Sequence, residues 1–166
     1  MPITPFHATA FVFLYFKNKR RIDPLALAVS TTFIDIEVLF YLLIGDSFDH
    51  RLWHGFVLAL TLYPFLVMFG VYIAEHFFKK RLWYIYRGFC LNPLQVKYPL
   101  LTVYYCSLFG GFTHVFLDMF THENMPYVLY PLIYGNPFYL GQASVTIEIV
   151  VILLSVYSFK NWLRQR

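Results

Sequence analysis

Gly110-Gly111-Phe112-Thr113-His114-Val115-Phe116-Leu117-Asp118-Met119-Phe120-Thr121-His122-Glu123 opens as an apolar, membrane-type helix and carries His114, Asp118 and His122 at intervals of four. A helix turns every ~3.6 residues, so these three side chains share one face. Two imidazoles and a carboxylate one turn apart can bind a divalent metal from a single rigid element, as helical His-x-x-x-His pairs do in soluble metalloenzymes. The competing reading is a buried histidine hydrogen-bonded to an aspartate one turn away.

The rest of the chain gives this stretch its setting. Over 166 residues, 59% are hydrophobic, 22% aromatic and only 13% charged, which is far from a soluble composition. We therefore expect an all-α integral membrane bundle forming one domain, 1–166. The net charge of +4 does not point to nucleic acid, because the basic residues cluster beside apolar runs and act as topology signals. Cys90 sits in a polar connection and Cys106 within an apolar run. They are expected at different depths, so neither a disulfide nor a cysteine metal site is expected.

Five apolar runs are legible. The first, from Phe6 to Phe16, follows Thr4-Pro5 as a cap and first-turn pair, places His7 in its opening turn and ends in Lys17-Asn18-Lys19-Arg20-Arg21. It has no small-residue cleavage site and so is not expected to be a signal peptide. Counted from Pro5, twelve residues reach only about 18 Å of the roughly 30 Å hydrocarbon core, so this helix is expected to tilt, to be extended by snorkelling lysines, or to insert partly. The second run, Pro24 to Ile44, begins after Asp23 and contains Asp35 and Glu37. Carboxylates at that depth default to a functional role, and two residues apart at most one should face a common centre directly.

A polar loop from Gly45 leads into His50-Arg51-Leu52-Trp53-His54, a second i, i+4 histidine pair, and a third run to Ile73 in which Pro64 is expected to kink the helix. Glu75 to Pro99 is basic and aromatic and reads as an interfacial segment. The fourth run ends in the opening stretch. Asn124 to Gly141 is a Pro-, Tyr- and Gly-rich loop, and the fifth run, Ser144 to Phe159, contains Glu148.

Charge sets the expected orientation. Twelve of the thirteen Lys and Arg residues fall after the first run, between the third and fourth, and at the C-terminus. In a five-helix alternation these lie on one side, which the positive-inside rule makes cytoplasmic, so the expectation is N-out, C-in in a cytoplasmic membrane. His7, Asp35, His50, His54, His114, Asp118, His122 and Glu148 then gather at the outer side, with only His76 of the six histidines on the inner side. That convergence favours a metal centre. Arg51 is the one basic residue left outside.

The motifs Met1-Pro2-Ile3-Thr4-Pro5-Phe6-His7, Phe33-Ile34-Asp35-Ile36-Glu37, His50-Arg51-Leu52-Trp53-His54 and Gly111-Phe112-Thr113-His114-Val115-Phe116-Leu117-Asp118 resemble the membrane-bound metal-dependent hydrolases of bacteria and archaea. Where that family has Asp-x-Asp-His, this chain has Asp35-Ile36-Glu37-Val38. More distantly, the series is similar to the zinc-dependent phospholipase C and single-strand nuclease superfamily, helical proteins that hydrolyse phosphoesters with two or three zinc ions. The resemblance implies His7, Asp35, His54, His114 and Asp118 as first ligands, with His50, His122, Glu37 and Glu148 as further ones, for one to three zinc or similar divalent ions.

The expected function is therefore a multi-pass membrane hydrolase acting at the outer face on a phosphoester of a phospholipid or other lipid-linked substrate. A non-ligand carboxylate, Glu37 or Glu123, is the expected base, and Arg51 is the expected phosphate clamp. Two other classes compete. A metal or proton transporter would also carry intramembrane His and carboxylates, yet the inner half of the helices offers only Ser and Thr. A catalytically silent membrane partner would use the polar cluster as a folding staple.

Overall fold

The computed structural model describes residues 5–46, 50–89 and 98–165. The Thr4 cap, residues 47–49 of the polar loop, and Cys90 lie outside the described residues. The first apolar run folds as two short helices, α1 (Pro5–Ala10) and α2 (Val12–Lys17), broken at Phe11. The break frees backbone groups, and Ser158 meets two of them: its Oγ donates to the Ala10 carbonyl at 3.2 Å and accepts from the Phe13 N–H at 3.0 Å.

The second run starts where the sequence indicates. Asp23 Oδ1 accepts the N–H groups of Leu25 (2.8 Å) and Ala26 (3.2 Å), which caps α3 (Pro24–Thr32). Near its end Ser30, Thr31 and Thr32 all turn their hydroxyls back onto carbonyls three or four residues earlier. Such back-bonding bends helices, and here the chain tightens into a 3-10 turn over Phe33–Asp35 before resuming as α4 (Ile36–Leu43).

The third run is also in two pieces, α5 (Phe56–Leu60) and α6 (Leu62–Phe77). The interruption falls at Thr61, three residues ahead of Pro64. The cause is still the proline, whose ring lacks an N–H and clashes with the carbonyl four residues back, that of Leu60. Then come α7 (Lys79–Gly88), the basic and aromatic connection, α8 (Leu100–Thr121), and α9 (Ser144–Leu163), which a 3-10 turn at Gly141–Ala143 precedes.

The chain is all-helical, with no strand among the described residues. Three of its helical segments are long and apolar enough to cross a membrane: Pro24–Leu43, Leu100–Thr121 and Gly141–Leu163. The expected first and third crossings are the broken runs α1–α2 and α5–α6. Polarity is arranged inside out relative to a soluble protein. Phe40, Leu101, Leu153 and Phe159 are exposed, whereas His54, His114 and Asp118 are buried. A membrane protein of this kind places its apolar surface in lipid and its polar groups between helices.

α3 and α8 run parallel and very close. Asp23 N–H donates to Cys106 Sγ (3.3 Å) at one end, and His114 meets the Thr31 carbonyl at the other. Gly110 makes the approach possible: a Cβ there would stand 1.8 Å from Ser30 Oγ and 2.7 Å from Ser30 Cβ. Gly111 does the same on the other side, where a Cβ would stand 2.9 Å from Tyr63 Cδ1. The glycine pair therefore sets the depth and spacing of the residues one and two turns later, His114 and Asp118.

Candidate metal centre

Four buried residues from three separate segments meet at one point. Asp35 comes from the 3-10 turn after α3, His54 from a 3-10 turn over Leu52–His54 that precedes α5, and His114 and Asp118 from α8. His114 Nε2 lies 2.9 Å from Asp118 Oδ2 and 3.2 Å from Asp35 Oδ1. His54 Nε2 lies 3.4 Å from Asp35 Oδ1 and 3.9 Å from Asp118 Oδ2. A tetrahedral zinc with ~2.0–2.1 Å bonds to N and O sets its donors about 3.3 Å apart. The observed spacings bracket that value.

Tautomer assignment sharpens the fit. His114 Nδ1 is 2.8 Å from the Thr31 carbonyl, which only accepts, so Nδ1 carries the proton. In neutral imidazole Nε2 is then a lone pair, facing two carboxylate oxygens and forming no hydrogen bond of acceptable geometry. His54 repeats the pattern, with Nδ1 3.0 Å from Glu37 Oε2 and Nε2 toward the same two aspartates. Acceptors facing acceptors in a buried site need a cation between them. Burial alone would lower the proton affinity of His54, but the carboxylates of Asp35 and Glu37, one beside each ring nitrogen, raise it above the ordinary value. The field that would hold a proton there also suits a divalent ion, whose charge cancels the two aspartates.

Asp118 is shared with a second group. His50 Nε2 is 3.8 Å from Asp118 Oδ2 and His122 Nδ1 is 3.7 Å from Asp118 Oδ1, with the His50 and His122 rings 4.3 Å apart. Burial, reinforced by His54, pushes the His50 imidazole down to about 2, which keeps it neutral as a ligand must be. His7 Nδ1 stands 3.4 Å from Asp118 Oδ1, and that oxygen is buried without a hydrogen bond. Asp118 Oδ2 thus faces His54, His114 and His50, and Oδ1 faces His7 and His122, so both groups share this carboxylate.

The remaining sequence candidates are placed differently. Glu37 does not stand beside the four donors but behind them: it accepts from the N–H groups of Arg51 (3.0 Å) and Trp53 (3.1 Å) and from His54 Nδ1. Asp35 therefore faces the centre directly while Glu37 acts through His54, in keeping with their two-residue spacing. The arrangement is the carboxylate–histidine pair that orients metal-binding imidazoles. Arg51 pairs with Asp46 (Nη2–Oδ2 2.6 Å), its guanidinium 3.9 Å over the Tyr41 ring. Glu123 is exposed just beyond His122, and Glu148 is half-buried on α9; neither joins the two groups.

Several supports are not legible as site residues in the sequence. The Thr31 carbonyl fixes His114. Gly55 lets the His54 turn lie against the next loop, since a Cβ there would stand 2.5 Å from the Tyr127 carbonyl oxygen. Asn136 Nδ2 donates to the carbonyls of Met119 and His122, each at 2.7 Å, and fixes the end of α8. The only sequence sign of these is the Gly and Asn content of segments otherwise read as loop.

A family model described as a domain of unknown function (DUF4184) matches residues 1–132. No curated protein and no solved structure matches the chain. The match spans all the residues of both donor groups and carries no reaction with it.

Proposed function

The chain belongs to the DUF4184 family, and we propose that it is a membrane-embedded, metal-dependent hydrolase that cleaves a phosphoester of a phospholipid or lipid-linked substrate at the outer face of a cytoplasmic membrane. The observation that carries this reading is the buried set of Asp35, His54, His114 and Asp118, with both imidazole Nδ1 protons already engaged and both Nε2 atoms turned toward carboxylates. Two nitrogen and two oxygen donors suit a zinc-like ion, and the His50, Asp118 and His122 group suits a second. Ions held there would supply Lewis acidity and acidify a water to near neutral pH.

In this reading the chain's own residues divide the work. Glu37, saturated by three donors, holds His54 in its tautomer and orientation rather than serving as the base. Glu123, exposed one residue beyond His122, is the proton carrier. Arg51 exchanges its Asp46 partner for a phosphate oxygen pair, for which its planar fork is suited. The five-crossing, N-out and C-in topology belongs to the same proposal: α1–α2 and α5–α6 supply the two interrupted crossings, and the basic clusters stay in the cytoplasm. Purified protein should contain at least one divalent ion per chain and hydrolyse bis(p-nitrophenyl) phosphate or a p-nitrophenyl phospholipid head-group analogue, with activity lost on chelation and restored by zinc. Metal-loaded protein inert toward both compounds would overturn the reading.

A further inference from the structure

Beside the metal centre, on the outward side of α4, lies a cavity of about 330 Å³ walled by Phe33, Ile36, Phe40, Trp53 and Leu66, with Glu37 at its inner end. Phe33, Ile36, Phe40 and Leu66 are themselves exposed. Three of the four belong to the apolar segment Pro24–Leu43, so in a membrane the cavity opens sideways into hydrocarbon. Glu37 is the only carboxylate on its wall, and both oxygens of that group are met from the far side by Arg51, Trp53 and His54. Tyr41 and Tyr63 also line it, the Tyr63 hydroxyl already donating to the Ser30 carbonyl at 2.8 Å, so the chamber offers a ligand mainly apolar surface. A cavity of ~150 Å³ accepts a benzene ring, so this one has room for a segment of a hydrocarbon chain.

We propose that this cavity seats one acyl chain of a membrane lipid and, resting on the hydrolase reading, that the lipid so held is the substrate, its head group placed at the metal centre. Glu37 and His54 form the partition between the two compartments, since Glu37 lines the cavity and His54 belongs to the four-donor set. A chain in the cavity thus begins one side chain away from the donors. Selection here cannot come from transfer out of water, because lipid outside is as apolar as the wall. It comes from filling a space whose walls otherwise lack contact partners.

The test is photolabelling of the full chain in dioleoylphosphatidylcholine vesicles containing a phosphatidylcholine with a diazirine midway along one acyl chain. Adducts should concentrate on Phe33, Ile36, Phe40 and Leu66, several-fold above the outward face of α9 at Leu153 and Val156. Leu66→Trp and, independently, Ile36→Trp should each fill the space and lower the cavity adducts several-fold while leaving those on α9. Equal labelling of the two faces, insensitivity to both variants, or copy-to-copy cross-links in place of lipid adducts would overturn the proposal. Failure of the hydrolase reading is seen separately, as absent turnover of bis(p-nitrophenyl) phosphate by metal-loaded parent protein whose cavity still labels. Labelling confined to the cavity together with hydrolysis of that soluble diester, but no dependence of phospholipid turnover on chain length, would remove the substrate part alone.

Discussion

Gly110→Ala places a methyl group where α8 and α3 touch, well away from every donor atom, and tests whether helix spacing sets the centre. The new Cβ would stand 1.8 Å from Ser30 Oγ and 2.7 Å from Ser30 Cβ, whereas ordinary contact begins at 3.4 Å. Rotation of the hydroxyl relieves the first clash but not the second, so the helices must part by a substantial fraction of an ångström. Overpacking of this kind costs about 1–3 kcal/mol. His114 travels with α8, one turn further on, while its partners Thr31 and Asp35 stay with α3. Metal sites tolerate only about ±0.2 Å in ligand distance, so metal affinity should fall ~10- to 100-fold, the range seen when support of a ligand is lost.

The compensating change is specific. Ser30→Gly removes both offending atoms and leaves the Leu27 carbonyl oxygen, at 3.3 Å, as the nearest neighbour. Ser30→Ala keeps the Cβ at 2.7 Å. Metal content by inductively coupled plasma mass spectrometry should therefore be low in Gly110→Ala and in Gly110→Ala/Ser30→Ala, and restored in Gly110→Ala/Ser30→Gly. Melting in detergent should recover only in part, because glycine within a helix costs about 1 kcal/mol. Full metal occupancy in Gly110→Ala, or equal rescue by the two Ser30 variants, would refute the reasoning.

Asp118→Asn removes the carboxylate common to both donor groups and should abolish metal binding, whereas His122→Gln should lower the count by one ion only, as read by metal analysis of each purified variant. Glu37→Gln should keep the fold but lower zinc affinity ~10- to 100-fold in a chelator competition, because the partner of His54 Nδ1 loses its charge. Arg51→Ala should leave metal content unchanged and slow phosphodiester turnover, with Arg51→Lys recovering part of it; equal turnover by Arg51→Ala and the parent would return the residue to its pairing with Asp46. Burial, assisted by Glu75, raises the Asp23 carboxyl from 3.8 to about 7 against the hydrogen bonds from Leu25 and Ala26. The folded state therefore holds that proton longer than the unfolded chain, and its contribution is full below pH 3.8 and lost as pH rises through 7, a difference on the order of 4 kcal/mol. Asp23→Asn, which keeps the capping oxygen, should flatten the fall in melting temperature across that window.

Which parts of this were readable in advance follows from the range of the interactions. Local signals were legible: Asp23-Pro24 as a cap, α8 with its i, i+4 residues, and Pro64 as a source of a break. So was the gathering of His7, Asp35, His54, His114 and Asp118, because charge asymmetry and helix depth constrain each run independently. Long-range contacts were not. The break at Phe11 depends on Ser158, some 145 residues later. The His50–His54 pair follows helical spacing in the sequence, yet His50 lies in coil and His54 in a 3-10 turn. They converge because loop backbone holds them, the His50 N–H donating to Asn124 (3.3 Å) and the Phe56 N–H to Val128 (3.1 Å). Hydropathy alone cannot separate an unbroken crossing from α5–α6, since the apolar pattern continues through Thr61.

The end of the bundle opposite the donor groups bears on the competing transport reading. Asp23 is fully buried there with one oxygen unpartnered, and Tyr86 donates to Glu75 nearby, so polar groups do occur at both ends of the α3–α8 pair. A route for ions or protons would have to join them. Between Asp23 and His114 the buried hydroxyls among the described residues include those of Ser30, Thr31, Tyr63, Ser107 and Thr113. All are turned onto backbone carbonyls: Ser30 and Thr31 onto Leu27, Tyr63 onto Ser30, Ser107 onto Val103, and Thr113 onto Phe109. Each proton is committed, and the seam at Gly110 is too tight for even one additional carbon. Water in file needs both space and unsatisfied partners, and among the described residues this stretch shows neither. An ion bound by Asp35, His54, His114 and Asp118 must then leave by the end through which it came, which suits a resident cofactor better than a cargo.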